Sequence, residues 1–116
     1  GVKFPGTDKL EDMEKFWGGL VDQVAFVKYN PWENSYEKPI NAIKTPCSDL
    51  WRRMFVWWDG TVNPCDSDYR STLSVGNVLE NSIDELWKSK NYVRLREAHT
   101  ENKRRECSPC NKCVVV

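Results

Sequence analysis

Five cysteines carry the chemistry open to this sequence: Cys47, Cys65, and then Cys107, Cys110 and Cys113 within seven residues. An odd count with three thiols crowded at one end fits a disulfide framework poorly and suits a metal or cluster. A Cys-x2-Cys turn lets two sulfurs converge on one centre, which both zinc ribbons and iron–sulfur sites exploit. Two overlapping pairs are present, Cys107 with Cys110 and Cys110 with Cys113, and either completes a four-thiolate set with Cys47 and Cys65. On residue types alone, zinc and an iron–sulfur cluster both stay open.

The elements between these cysteines must bring them together. Asp59-Gly60 lies between aromatic and apolar runs from Arg52 to Asn63, which predicts a hairpin with a two-residue turn. That register sets Met54 opposite Cys65 and leaves Cys47 about 23 Å away along an extended strand. The chain from Pro46 to Leu50 must therefore bend back. Ser82-Ile83-Asp84-Glu85 is a capping box that opens a helix with Ile83, Leu86 and Trp87 inward. Asn91 caps a second short helix with Tyr92, Leu95 and Ala98 on one face.

Upstream, Thr7 or Asp8 caps a helix that places Leu10, Met13, Phe16, Trp17 and Leu20 on one face and ends at Gly18-Gly19. Val21 to Tyr29 is apolar on both sides of the period-two pattern, which predicts a strand buried on both faces. Asn30-Pro31 stops it, and the proline-containing stretch 30–46 predicts turns and a domain boundary.

A chain of 116 residues and 13.6 kDa has room for one small domain, or one plus a piece of another, and excludes a complete large enzyme barrel. Seventeen Lys and Arg balance seventeen Asp and Glu, so whole-molecule attraction to nucleic acid or an anionic membrane is not expected. The mean hydropathy of −0.67 leaves a modest core despite six Trp, and such a domain needs a staple. No run of eighteen apolar residues occurs, and Gly1 to Lys9 has neither the basic start nor the apolar stretch of a signal peptide. These features point to a soluble, cytoplasmic protein. Between residues 88 and 105, seven cations face two glutamates, a solvated helix face rather than a nucleic-acid site; a functional version of the patch would neutralise an anionic four-thiolate cluster or meet an acidic substrate or carrier. His99 at a helix end is expected to make backbone or helix-dipole contacts rather than to ligate metal. Trp57 and Trp58 are adjacent in a strand and face opposite sides, which leaves room for one to be exposed.

The ordered set Pro46-Cys47-Ser48-Asp49-Leu50-Trp51, Asp59-Gly60-Thr61-Val62-Asn63-Pro64-Cys65, Val75-Gly76-Asn77-Val78, Ser82 to Trp87, Leu95-Arg96, His99 and the last Cys-x2-Cys resembles a known family. These residues are similar to the C-terminal SPASM domain, or the shorter twitch domain, of radical SAM enzymes, over roughly residues 46 to 113. The family pattern of Cys, nine to fifteen residues, Gly, four residues and Cys is met by Cys47, twelve residues, Gly60, four residues and Cys65. The resemblance implies an auxiliary [4Fe-4S] cluster on Cys47, Cys65, Cys110 and Cys113. Cys107 is then spare, because the family's usual distance from the helix-end histidine favours the later pair. Further SPASM cysteines are absent, which implies the one-cluster type.

The Cys-x3-Cys-x2-Cys that holds the S-adenosylmethionine-cleaving cluster in this family is also absent. The resemblance therefore implies a supporting role in substrate binding or electron transfer, beside a catalytic barrel elsewhere in a longer enzyme acting on a peptide or small molecule. Residues 1–45 resemble the last helix and strand of that partial barrel plus a linker, and residues 46–116 the auxiliary domain. The expected architecture is a small α+β domain of a hairpin and short helices around one cysteine-ligated cluster. A zinc-stapled module contacting nucleic acid or an acidic partner is the alternative.

Overall fold

In the computed structural model, which describes residues 2–3, 9–29 and 33–116, the chain divides into two units, Gly1–Pro31 and Trp32–Val116. In the first, strand β1 (Val2–Lys3) pairs in parallel with β2 (Val27–Lys28), and helix α1 (Leu10–Gly18) connects them. Parallel pairing of neighbours requires such a crossover, so the unit is one β-α-β element. The helix stops at Gly18, with the Gly19 N–H bonded to the Trp17 carbonyl, where the glycine pair was expected to end it. The proposed Thr7 or Asp8 cap lies outside the described residues, and Lys9 at the N-cap position supplies no side-chain bond.

The strand expected over Val21 to Tyr29 is much shorter than its apolar pattern suggested. The N–H groups of Leu20 and Val21 turn back to the Trp17 carbonyl at 2.8 and 3.1 Å, which leaves only Val27 and Lys28 in register with β1. Nor is it buried on both faces, since Val27 is 60 % exposed. Helix α1 buries none of its residues, and Phe16 and Leu20 are each about two-thirds exposed (65 % and 66 %).

The second unit is α+β, as expected. Strands β3 (Phe55–Val56), β4 (Thr61–Asn63) and β5 (Gly76–Asn77) form an antiparallel sheet in that order, followed by helices α2 (Ile83–Trp87) and α3 (Lys90–Thr100). Three 3-10 turns, Ser48–Trp51, Arg104–Glu106 and Cys110–Lys112, complete it. Leu50, Val62, Val75, Leu86, Tyr92, Leu95 and Cys110 make the core, with Cys47, Met54, Leu73, Val78, Trp87 and Cys107 packed against it. A ligand-type cysteine thus belongs to the hydrophobic centre itself.

The hairpin is present, but its register differs from the expected one by one residue. Phe55 faces Asn63 and Val56 faces Val62, and the Trp57 N–H bonds the Thr61 carbonyl at 2.8 Å. The loop is therefore Trp58-Asp59-Gly60. A two-residue type I′ turn needs positive φ at both central residues, whereas here only Gly60 (φ +85) has it, and Asp59 instead accepts from the Thr61 N–H at 2.9 Å. Met54 accordingly does not sit opposite Cys65. Trp58 at the tip is 97 % exposed, while Trp57 turns inward and donates its indole N–H to Ser71 Oγ.

Gly60 is the glycine of the Cys-x12-Gly-x4-Cys pattern, and its surroundings explain the residue. A Cβ there would stand 2.5 Å from Asn77 Oδ1, the amide that also donates to the Asp59 carbonyl. Left-handed backbone costs a residue with a Cβ about 1–2 kcal/mol before any contact is counted. Gly60→Ala is expected to destabilise the chain by about 2 kcal/mol. A urea titration checks it, and an unchanged midpoint would show that the loop relaxes freely.

The Ser82 capping box forms with both reciprocal bonds, since Ser82 Oγ accepts from the Glu85 N–H and Glu85 accepts from the Ser82 N–H. Leu86 is buried and Trp87 half-buried, but Ile83 is exposed because the five-residue α2 makes barely more than one turn and presents only its last residues to the core. Ser89, not Asn91, caps α3, its Oγ accepting from the Tyr92 N–H. The earlier cap lengthens α3 by two residues, and Tyr92, Leu95 and His99 become its buried face. Ala98, expected on that face, is half-buried. Tyr92 donates its hydroxyl to the Arg53 carbonyl at 2.7 Å.

Candidate metal centre

Each predicted cysteine is delivered by a different local device. After Cys47 the chain turns at once through Ser48–Trp51, with the Leu50 N–H on the Cys47 carbonyl, which is the bend required between Pro46 and Leu50. Cys65 follows β4 across the buried Pro64 and opens a loop built on Asp68. Fully buried, Asp68 accepts from Thr72 N and Oγ1, from Leu73 N and from the Tyr36 hydroxyl. Cys110 and Cys113 flank the 3-10 turn Cys110–Lys112, whose Cys113 N–H bonds the Cys110 carbonyl.

These four thiols line one cavity of about 40 Å³, together with Asp49, Leu50, Pro64, Arg104 and Pro109 among others. That exceeds the ~10–15 Å³ needed for a water. Cys107 does not line it; its thiol faces a separate open groove with Leu73, Arg94, Leu95 and Ala98, and contacts the Lys103 carbonyl. All five cysteines are free of disulfides. Among the described residues, no three His, Cys, Asp or Glu side chains gather closely enough for a single ion.

Burial dominates the acidity of Cys47, Cys65 and Cys110. It pushes the Cys65 thiol up to about 12 and raises Cys47 and Cys110 above the ordinary thiol value. Backbone N–H groups of Asp68 and Asp49 partly oppose this at Cys65 and Cys47, and the Arg104 charge does so at Cys47 and Cys110. The Val115 N–H donates to Cys113 Sγ at 3.5 Å. N–H groups at sulfur and a nearby cation favour thiolate, so the donor set suits a metal that displaces the protons. Burial also raises Cys107, and Glu106 adds to that shift.

The stretch 33–45, read in the sequence as linker, is tied to this second unit. Asn41 donates through its side chain to the Cys113 carbonyl and through its backbone to the Asn111 carbonyl, and Lys112 reaches the Tyr36 carbonyl. The turn residues of that segment thereby brace the Cys-x2-Cys loop.

His99 is fully buried and makes the expected backbone contact, its Nδ1 accepting from the Cys47 N–H at 3.1 Å. This places the ring proton on Nε2, which has no partner in the structure. Burial, helped by the Arg104 charge, lowers the His99 pKa to about 4. The folded chain keeps a neutral ring while the unfolded chain binds a proton below about 6.5. Stability present above that pH is therefore lost as pH falls from about 6.5 towards 4. Urea midpoints of the metal-free chain should decline across that window, and a midpoint flat from pH 7 to 4 would contradict the assignment.

The basic stretch of residues 88–105 does not form one charged face. Arg96 lies over the paired rings of Trp87 and Tyr92, 4.2 and 4.0 Å from their centroids, and donates to the Leu50 and Trp87 carbonyls, while Lys88 and Lys103 pair with Asp84 and Glu101. Arg104 is buried at the cavity wall. Sequence reasoning counted Arg96 and Arg104 as surface charge, and nothing in a charge count distinguishes a cation that turns inward.

A small α+β unit that folds four separated thiols around one cavity is a cysteine-based ligand domain. The chain belongs to the SPASM family, an iron–sulfur cluster-binding domain, whose profile matches residues 47–114. This bears out the resemblance carried by the cysteine spacing. A solved structure described as selenomethionine BtrN in an open conformation has a similar fold, with a TM-score of 0.63 at 21 % identity. The likeness covers 99 % of this chain and 44 % of that one, so the present chain spans less than half of that structure's length. Among curated proteins, none matches the chain. No described helix is long and apolar enough to cross a membrane.

Proposed function

We propose that this chain is the auxiliary cluster domain of a radical SAM enzyme, in which Cys47, Cys65, Cys110 and Cys113 hold one [4Fe-4S] cluster. The observation that carries the reading is the shared cavity: four thiols from three separated segments line it, and the fifth does not. An all-sulfur set suits an iron–sulfur cluster, the group that the matching family binds. Such a cluster supplies electron-transfer or substrate-ligating capacity when bound. The chain's own part is to desolvate it, to fix its ligands by the turns at Ser48–Trp51 and Cys110–Lys112, and to direct N–H groups at sulfur.

The S-adenosylmethionine chemistry belongs to a barrel elsewhere in the parent enzyme, whose substrate is a peptide or small molecule. Gly1–Pro31 then supplies the end of that barrel, and Trp32–Val116, which includes the 33–45 stretch, the auxiliary domain. Two features of the first unit support this: its strands are parallel with a helical crossover, as barrel units are, and the apolar side chains of α1 are uncovered. Free thiols throughout suit the reducing cytoplasm. The zinc-stapled, nucleic-acid-binding alternative lacks a basic face, and no salt-dependent DNA or RNA binding is expected. Anaerobic reconstitution with iron and sulfide should give a brown protein absorbing near ~400 nm. A colourless protein holding one tetrahedral zinc would overturn the proposal.

A further inference from the structure

We infer that Arg104 is the built-in counter-charge of the cluster site as well as the clasp of its ligand loop. This rests on the reading that the four thiols hold a cluster. The guanidinium is 1 % exposed and lines the thiol cavity. Its Nε donates to the Cys110 carbonyl at 3.1 Å, its Nη1 to the Thr45 carbonyl at 2.8 Å, and its Nη2 to the Cys113 and Val115 carbonyls at 2.8 Å each. One side chain therefore fixes the backbone just before Cys47 and on both members of the final Cys pair.

Those carbonyls take four of its five N–H groups but do not neutralise its charge. Among the described residues, no carboxylate lies within ion-pair distance of Arg104; the ion pairs formed by other arginines use Asp49. A buried cation without an anion is costly, and proteins retain one where a negative group completes the site. The cavity wall offers one: four thiolates around iron carry net negative charge, and Arg104 lines the same cavity as the four cysteines. Net charge and hydrogen bonding near the sulfurs set a cluster's reduction potential. A fixed cation beside it makes the added electron easier to accept. Lysine retains that charge without the forked geometry, and glutamine retains donors without the charge.

The test uses the full 116-residue chain, reconstituted anaerobically as wild type, Arg104→Gln and Arg104→Lys, with iron content measured first and the midpoint potential then read by spectroscopically monitored redox titration. Arg104→Gln is expected to move the potential negative, and Arg104→Lys to stay near wild type. If Arg104→Gln fails to hold the cluster while Arg104→Lys holds it, the charge requirement is equally upheld. The inference is overturned if Arg104→Gln keeps its iron at an unchanged potential, if both variants shift alike, or if both lose the cluster, since each outcome leaves only a geometric clasp. A wild-type chain that takes up no iron–sulfur cluster would instead fail the underlying reading.

Discussion

Cys110→Ser is expected to lose nearly all bound iron, while Cys107→Ser keeps the wild-type amount. Cys110 is the most deeply placed of the cavity thiols, part of the hydrophobic core, and it starts the turn that carries Cys113. Replacing it removes one thiolate and sets a hydroxyl in a site where burial disfavours charge. Because ligand binding and folding are coupled in such domains, the cluster-loaded chain should also lose much of its stability. Cys107 lines a different groove from the other four, so its removal costs only a half-buried thiol. Cys113→Ser separates the two possible pairs. Full metal content in Cys113→Ser together with loss in Cys107→Ser would show that Cys107 and Cys110 are the true pair.

The second large effect is expected at Asp68→Ala. Four groups converge on its carboxylate, and burial together with that bond raises the Tyr36 hydroxyl to about 12. Alanine would leave the Thr72 and Leu73 N–H groups and two hydroxyls without their acceptor. A buried donor stripped of its partner costs about 1–3 kcal/mol, and with Thr72 partly able to turn to water the sum comes to about 3–4 kcal/mol. The loop from Cys65 to Leu73 should then loosen, and cluster retention should fall with it. Urea unfolding of the metal-free chain reads the first effect and iron content the second. An unchanged midpoint would mean that the carboxylate only decorates the loop.

The candidate site was the most legible part of this sequence, because cysteine spacing reflects a local geometric demand that few folds satisfy. Gly60 shows the same: the pattern requires glycine where φ is +85 and Asn77 closes over the backbone. Capping chemistry was equally local, and the Ser82 box formed as read, although Ser89 displaced Asn91 as the α3 cap. What the sequence did not show depends on long-range placement. The hairpin register changed by one residue because Asp59 used its carboxylate on Thr61 instead of taking positive φ. The strand expected at Val21 to Tyr29 found only a two-residue partner, and its apolar pattern records a burial that this chain alone does not supply. Arg104 and Arg96 looked like solvated charge, yet one clasps the ligand loop and the other lies over a pair of rings.

The most direct measurement is the iron and acid-labile sulfide content of the anaerobically reconstituted full chain. Four cavity thiols holding one cluster predict about four irons and about four sulfides per chain. One zinc per chain with no sulfide, or iron that fails to bind when sulfide is supplied, would contradict the account.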